Sequence, residues 1–284
     1  MPLAIWIDSL ILSSIYILMA SGLVLVFSIM GILNFAHGQF YMVGAYILFC
    51  LFKLAGLNFF VGLVISTIAV GLLGVLLERY VMRPIRQPIQ VIVITIALIS
   101  VFEGIITLAF STAPKSMPAA FPGTSTIGNT IVSNERIGVV VIAVLLITAL
   151  YIFIQKTKMG LALRAAAQQP TAAGLFGIRV ARVSSLAMGL GCGLAALAGG
   201  IMAPIFYIDP SMGNQPLVMA MLTIVIGGMG SLGGAVIGGL ILGITGSIVA
   251  YYVGFWAQLL ALCLVVVILL FRPQGLFGFS EKRP

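Results

Sequence analysis

Long apolar runs separated by short polar connections constrain the fold of this chain more than any other feature of its sequence. The runs cover residues 9–28, 38–54, 60–78, 90–110, 137–155, 184–204, 217–230, 234–252 and 255–271. A helix needs about 20 apolar residues to cross a bilayer. The pattern therefore predicts an all-α polytopic membrane protein with about nine transmembrane helices. Eight is the alternative count, because the seventh run is short and the first two could rearrange.

Composition agrees with this interpretation and excludes a soluble domain. Of the 284 residues, 62% are hydrophobic and 7% are charged, with a mean hydropathy of +1.26. Ordinary globular chains are about 25% charged. A net charge of +8 would suggest nucleic-acid binding in a soluble protein. Here the charges cluster between apolar runs, so they indicate membrane topology instead.

The cysteines and the N-terminal run carry no further signal. Cys50, Cys192 and Cys263 fall within apolar runs without metal-ligand spacing, which predicts small packing residues. The first run lacks a basic flank and a small-residue cleavage site, so we expect a retained membrane span.

One basic segment, residues 156–182, interrupts the apolar pattern. It holds five of the fourteen Lys and Arg residues and no Asp or Glu. Such a segment lies in water, and its charge predicts the cytoplasmic side. Pro170 suits the first turn of a short helix and Gly177 the position just past its end. Because one or two turns are unstable alone, this helix needs tertiary support or a partner protein; an ordinary cytoplasmic loop is the alternative.

If the basic segment is cytoplasmic and each span crosses the membrane, the basic residues fall mostly on one side. The outside then holds Lys53, Lys115 and Arg136. The inside holds Arg79, Arg83, Arg86, Lys156, Lys158, Arg164, Arg179, Arg182, Arg272, Lys282 and Arg283. Eleven basic residues against three predict an N-terminus outside and a C-terminus in the cytoplasm. The longest outer loop, 111–136, is either a docking surface or a plain connector.

Two polar or glycine-rich stretches break the helical pattern. They are Asn34–Gln39 and Gly227–Gly234, and each follows an out-to-in span and precedes an in-to-out span. This common orientation suggests a parallel internal repeat. Broken helices present partial charges to a substrate, and a zwitterion could be escorted by them. For the second stretch, a tight turn or a packing face is the alternative, and Gly234, Gly238, Gly239 and Gly243 favour packing for the helix that follows.

Three isolated polar residues need an explanation. His37 is the only histidine, so metal binding is excluded in practice and either a pathway or a structural role remains. Glu103 is the one acid well inside an apolar run, and such residues are costly and often functional. Asp209 lies in an outer connection, where it either meets a partner or serves as a turn residue.

Missing motifs narrow the class of protein. The chain has no Gly-x-x-x-x-Gly-Lys-Ser/Thr, no His-Glu-x-x-His and no Gly-x-Ser-x-Gly. It therefore cannot cradle ATP phosphates in the P-loop manner, and an enzyme is poorly supported. An ABC permease subunit, a secondary transporter and a channel remain. The basic segment with its short helix favours a permease driven by another chain.

Four motifs in order resemble the permeases of branched-chain amino acid ABC importers, of the LivH type. They are the stretch Gly31–Gly38, the run Leu77–Arg79 followed by Arg83 and Pro84, the segment from Met159 to Arg182, and the stretch Gly227–Gly234. The resemblance spans nearly the whole chain. It implies a fold like that of type II ABC importer permeases, one transmembrane domain over 1–284, and a cytoplasmic coupling loop at 156–183.

The resemblance also implies partners and a substrate class. The expected partners are a homologous second permease of the LivM type, two ABC ATPase subunits and an extracytoplasmic solute-binding protein. ATP and Mg²⁺ would bind the ATPases, so no cofactor is expected on this chain. The expected substrate is a branched-chain or other hydrophobic amino acid; related systems carry urea, short amides or aromatic acids. The expected location is the bacterial inner membrane.

These arguments select two sets of candidate residues. The expected substrate pathway comprises Asn34, Phe35, His37, Gly38, Gln39, Glu103, Gly227, Gly228, Gly230, Ser231 and Gly233. The expected ATPase-coupling surface comprises Arg164, Ala165, Pro170, Ala172, Ala173, Leu175, Phe176, Gly177 and Arg179. Within that surface, Ala172, Leu175 and Phe176 are predicted to share one helix face, and Ala173 and Gly177 to press against the partner.

Overall fold

The computed structural model describes residues 3–85, 87–127 and 130–277, and helices account for most of them. The helices are α1 Leu3–Met30, α2 His37–Phe49, α3 Phe59–Leu77, α4 Pro88–Phe110, α5 Asn134–Lys156, α6 Lys158–Gln168, α7 Pro170–Leu175, α8 Val180–Met202, α9 Asn214–Gly227, α10 Leu232–Val253 and α11 Ala257–Phe271. Short π-helical turns at Cys50–Leu54 and Glu78–Met82 extend α2 and α3, and a 3₁₀ turn at Gly254–Trp256 precedes α11.

The prediction of an all-α polytopic membrane protein is confirmed. Within the described residues, six helices (α1, α3, α4, α5, α8 and α10) are long and apolar enough to cross a membrane. The segments α2, α9 and α11 are shorter, so the count of nine or eight spans stays a prediction. One feature was not expected from the sequence: the outer loop forms a small antiparallel hairpin, β1 Thr124–Ile127 with β2 Thr130–Ser133.

Small residues let the central helices pack backbone to backbone. A Cβ atom on Gly22 of α1 would lie 2.7 Å from the carbonyl oxygen of Gly191 on α8. The predicted packing role of the glycines on α10 is confirmed, because Gly239 lies against Ile17 of α1 and Gly238 against the Thr223 carbonyl of α9. In membranes such close packing drives association, since lipid is as apolar as the side chains.

Contacts at the helix ends separate the basic residues into two groups, as the charge pattern predicted. Arg83 contacts the Ala181 carbonyl at the start of α8, which places it at the same end as the segment 156–182; we call this the basic end. Lys53 contacts the Ser116 carbonyl and Arg136 pairs with Asp8, both at the opposite end. Arg86, Lys282 and Arg283 lie outside the described residues. Which end faces the cytoplasm stays a prediction.

The three cysteines differ in their surroundings. Cys192 is fully buried, and its Sγ lies next to Gly74 of α3, so its predicted packing role is confirmed. Cys50 is partly buried, whereas Cys263 is exposed on α11, so the packing prediction is wrong for Cys263 within this chain.

Gly22→Val tests the close approach of α1 and α8. We expect overpacking to cost about 1–3 kcal/mol and to lower the midpoint of thermal unfolding in detergent. The matched control is Gly246→Val on α10, because no other group lies within 4 Å of the point that its Cβ atom would occupy. Equal midpoints for the two variants would contradict the packing described above.

Candidate functional site

Helix α2 begins inside the bundle rather than at its surface. After α1 ends at Met30, Gly31 turns the chain with a φ of +67°. The Asn34 side-chain oxygen then accepts a hydrogen bond from the Ala36 N–H at 3.0 Å, and the His37 ring lies against Gly22. Gly22 precedes the end of α1 by eight residues, or about 12 Å of helix. The connection therefore re-enters the bundle from the basic end.

Helix α9 also begins inside the bundle, but its connection enters from the opposite end. Ile208 pairs with the Lys115 backbone at that end. The Asp209 carboxylate then accepts a hydrogen bond from the Ser211 N–H at 2.8 Å, and the chain descends to Gly213. Asp209 therefore stabilises a turn, which agrees with its interpretation as a turn residue.

The starts of these two helices meet at Gly38 and Gly213. A Cβ atom on either residue would overlap the carbonyl oxygen of the other, so only glycine permits this approach. The N-terminal end of a helix carries about half a positive charge. Two such ends converge here, which favours negative charge beside them.

A polar cluster occupies this meeting point, formed by Gln39 of α2, Glu103 of α4 and Asn214 of α9. Glu103 Oε1 accepts hydrogen bonds from Asn214 Nδ2 at 2.9 Å and from Gln39 Nε2 at 3.4 Å. Gln39 Nε2 also donates to Asn214 Oδ1 at 3.2 Å. Three helices that are distant in sequence are thus joined by side-chain amides around one carboxylate.

The polar cluster opens toward one side of the chain. Gln39 is fully buried, Glu103 is partly buried and Asn214 is exposed. Glu103 lies seven residues, roughly 10 Å, from the end of α4 at Phe110. An exposed polar group at this depth cannot face hydrocarbon without a large cost, so this side requires another protein surface or water.

Sequence reasoning found Gln39 and Glu103 but missed Asn214. Asn214 follows a polar outer connection and belongs to none of the motifs. A usable signal was the short apolar run that follows Gly213-Asn214-Gln215-Pro216. After these residues, the helix continues only over Leu217–Gly227. A run too short to span the membrane indicates a helix that starts within it.

The other residues of the first helix break that were expected on the substrate pathway lie outside the polar cluster. Phe35 donates its backbone N–H to Oγ1 of the buried Thr95 on α4 at 3.3 Å. Asn34 is buried, with its Nδ2 3.8 Å from Met188 Sδ. His37 is fully buried, and its ring lies beside Gly22 and the Met19 backbone of α1. The structure therefore separates Asn34 and His37 from the open side.

The second helix break is a tight turn at the basic end. Gly228 and Gly230 have φ values of 98° and 92°, and the Ser231 side chain caps α10 through the Gly234 N–H at 3.0 Å. Gly227 lies directly against Gly234, and Gly233 follows as the second residue of α10. The two breaks thus lie at different depths, and a parallel repeat does not relate them. The helix start that faces α2 is that of α9, which runs in the opposite direction.

The basic segment folds as its local signals predicted. The Thr157 side chain caps α6 by accepting from the Gly160 N–H at 3.0 Å. Pro170 occupies the first turn of α7, and Gly177 follows it with a φ of +83°. The Ile178 N–H bonds to the Ala173 carbonyl and the Gly177 N–H to that of Gly174, which is the Schellman ending of a helix.

The outer surface of α7 is apolar. Leu175 and Phe176 are 87% and 88% exposed, and we call this pair the apolar knob. Ala173 is buried against its own chain, which differs from the expectation that it presses against a partner. The other candidates of the coupling surface differ in exposure: Pro170, Gly177 and Arg179 are exposed, whereas Arg164, Ala165 and Ala172 are partly buried. Arg164 Nη1 donates a hydrogen bond to Gln155 Oε1 at 2.9 Å. A small core of Leu163, Ala166, Val183 and Ala187 lies between α6 and α8, and Ile178, just after α7, packs against it.

An ion pair between the buried Glu78 and the exposed Arg83 connects this segment to the bundle. Arg83 contacts both oxygens of the buried Glu78 carboxylate, at 2.6 and 3.1 Å. Ser185 Oγ of α8 donates to Glu78 Oε2 at 2.7 Å, and Arg83 donates to the Ala181 carbonyl at 2.7 Å. The family-like motif around Glu78 thus joins the end of α3 to the start of α8.

A multi-pass helical bundle with two re-entrant helix starts and an exposed apolar knob is a polytopic membrane protein, and comparison identifies its family. The family model described as the permease component of the branched-chain amino acid transport system matches residues 5–271. The chain therefore belongs to this permease family.

Individual relatives agree along nearly the full length. The permease protein BraD of the high-affinity branched-chain amino acid transport system of Pseudomonas aeruginosa is 30% identical, covering 97% of this chain and 95% of the relative. The permease protein LivH of the corresponding system of Escherichia coli K12 is 31% identical, covering 95% and 93%. A probable LivH of Methanocaldococcus jannaschii is 27% identical, covering 97% and 92%.

One solved structure shows the same type of fold. PsaBC from Streptococcus pneumoniae, in complex with Fab, aligns with a TM-score of 0.50 and covers 94% of this chain and 91% of its own. The sequences are 16% identical, so this likeness concerns the fold alone.

Cysteine labelling tests which side of the first helix break is open. In a chain without its three native cysteines, Asn214→Cys should react with a small water-soluble thiol reagent, because Asn214 is exposed. Asn34→Cys is the control and should stay protected, because Asn34 is buried. Measurements on the membrane-embedded complex decide the point, and equal reactivity would contradict the open side described above.

Proposed function

We propose that this chain is the membrane-spanning permease subunit of an ATP-driven importer that moves branched-chain or other hydrophobic amino acids by alternating access. Membership of the permease family supports the class. The names of the BraD and LivH relatives support the substrate class. The polar cluster at Gln39, Glu103 and Asn214 supplies a place inside the bundle where a polar solute could pass.

The apolar knob is the observation that carries the coupling role. Leu175 and Phe176 stand almost free at the end of a helix of only six residues. Exposed apolar groups of this kind on an otherwise basic segment mark an interaction site. Two features fix the position of the knob: the Schellman ending behind it and the Glu78–Arg83–Ser185 contacts at the start of α8. A rigid apolar projection suits the groove of an ATPase subunit.

The energy comes from other chains in this proposal. The sequence has no P-loop, so two ATPase subunits bind ATP and Mg²⁺, and this permease binds no cofactor and catalyses no reaction. Closure of the ATPases pushes the knob, and the segment 156–183 passes the displacement to α3 and α8. The basic end is then cytoplasmic, with the N-terminus outside and the C-terminus inside the bacterial inner membrane.

Two further partners complete the assembly. A second permease, of the LivM type, covers the side on which Glu103 and Asn214 open, because that side carries polar groups at membrane depth. A solute-binding protein docks at the opposite end, where the β1–β2 hairpin and the turn at Asp209 lie. The pathway then runs between the two permeases.

Phe176→Asp tests the coupling role of the apolar knob. A charge in an apolar groove is costly, so we expect loss of both ATP hydrolysis stimulated by the loaded binding protein and amino-acid uptake. Thr171→Asp places the same charge on an exposed position of the same helix and should retain both activities. Measurements use the whole complex in proteoliposomes. Normal coupling in Phe176→Asp would remove the main support for the proposal.

Gly177→Ala tests whether the helix ending must be rigid. At a φ of +83° an alanine costs about 1–2 kcal/mol, so the knob should lose its fixed position and stimulated ATP hydrolysis should fall several-fold. Gly174→Ala is the matched control, since nothing lies within 4 Å of its Cβ position and it lies within α7. Equal rates in both variants would contradict a role for this ending.

A further inference from the structure

The Glu103 carboxylate is an anion without a cation. Within the described residues the ion pairs are Arg83 with Glu78 and Arg136 with Asp8, and neither involves Glu103. Its Oε1 is held by the two amides of the polar cluster, whereas its Oε2 receives no hydrogen bond from any described residue. An uncompensated carboxylate at membrane depth is costly, so the free oxygen favours a cationic partner.

The surroundings of this carboxylate direct donors and positive partial charges toward it. Two side-chain amide groups donate hydrogen bonds to Oε1. The N-terminal ends of α2 and α9, 13 and 14 residues long, converge beside it with their partial positive charges. Because part of the charge is offset by fixed dipoles, a permanent ion pair is unnecessary and a transient one suffices.

A second acceptor lies in the same cluster. Gln39 Oε1 is buried and has no hydrogen-bond partner among the described residues, although the residue is fully enclosed. Buried polar atoms are nearly always paired, so this orphaned oxygen points to a ligand. An –NH₃⁺ group offers three donors and no acceptor, which suits the free Glu103 Oε2 and the Oδ1 of the exposed Asn214 beside it. Gln39 Oε1 is enclosed in this state and becomes a further acceptor only when the cluster opens.

We propose that Glu103, Gln39 and Asn214 form a transient binding site for the α-ammonium group of the transported solute. This inference rests on the proposed transport function and narrows its substrate class: the site takes solutes with a cationic amino group and disfavours urea, neutral amides and carboxylic acids without an amine. The aromatic rings of Phe40 and Phe102, which follow Gln39 and precede Glu103 in the sequence, lie 5.8 Å apart between α2 and α4.

Binding measurements on the complex without its solute-binding protein test the site directly. The complex of both permeases and the ATPases is placed in lipid nanodiscs and titrated calorimetrically with L-leucinamide and with 4-methylpentanamide, which has the same skeleton without the amine. We expect leucinamide to bind about tenfold more tightly, as charge-assisted hydrogen bonds imply. Glu103→Gln should remove this preference. Asp8→Asn is the matched carboxylate-to-amide control; it breaks only the surface pair with Arg136 and should keep the preference.

Other sources of the cation give different results, and each would overturn the inference. Equal binding of the two amides by the wild type would show that no ammonium site exists. Loss of the second permease from Glu103→Gln on size exclusion would place a partner's basic residue at Glu103. Proton uptake coupled to transport that disappears in Glu103→Gln would make the cation a proton.

The proposed function is judged separately, by ATP-dependent uptake of L-leucine into proteoliposomes with the binding protein. Uptake by the wild type without an ammonium preference would overturn the inference alone. Absence of uptake, with the preference still present and dependent on Glu103, would overturn the proposed transport of leucine while the ammonium site remained.

Discussion

The meeting of Gly38 and Gly213 is the contact on which the interior of this protein depends. Each helix start leaves backbone N–H groups without a partner in its own helix. Inside a membrane such ends are tolerated only where protein or a water-filled cavity satisfies them. Because neither residue has a side chain, the two backbones touch. The next residue of each chain segment, Gln39 and Asn214, then falls within hydrogen-bonding distance of the same carboxylate.

Local sequence signals predicted where the helices begin and end, but they did not predict how deep the helix breaks lie in the bundle. The apolar runs located the long helices, and Pro170 with Gly177 predicted both ends of α7, because these residues act on the backbone within one turn. Depth is a different matter. By their sequence Asn34–Gln39 and Gly227–Gly234 are equivalent breaks, although only the first re-enters the bundle. Nothing within either stretch encodes how far it lies from the helix ends around it.

The candidate site was predicted in part for the same reason. Glu103 stood out because an acid in an apolar run is rare, and Gln39 because it belongs to a visible break. Asn214 escaped, since its role comes from a contact 111 positions away. Ala173 was placed on the wrong side of α7, because six residues define the faces of a helix only weakly until its packing is known.

Helix α8 connects the two functional regions physically. It begins at the basic segment, where Glu78 and Arg83 hold Ser185 and Ala181. Farther along, its Gly191 touches Gly22 of α1 and its Gly199 touches the Tyr41 carbonyl of α2. Contacts between backbones contain no flexible side chain that could absorb a shift, and packed interiors transmit strain for this reason. We therefore expect a displacement that starts at the apolar knob to move α2 together with α8. Since Gln39 lies two residues before Tyr41, we expect the same displacement to alter its hydrogen bonds to Glu103 and Asn214.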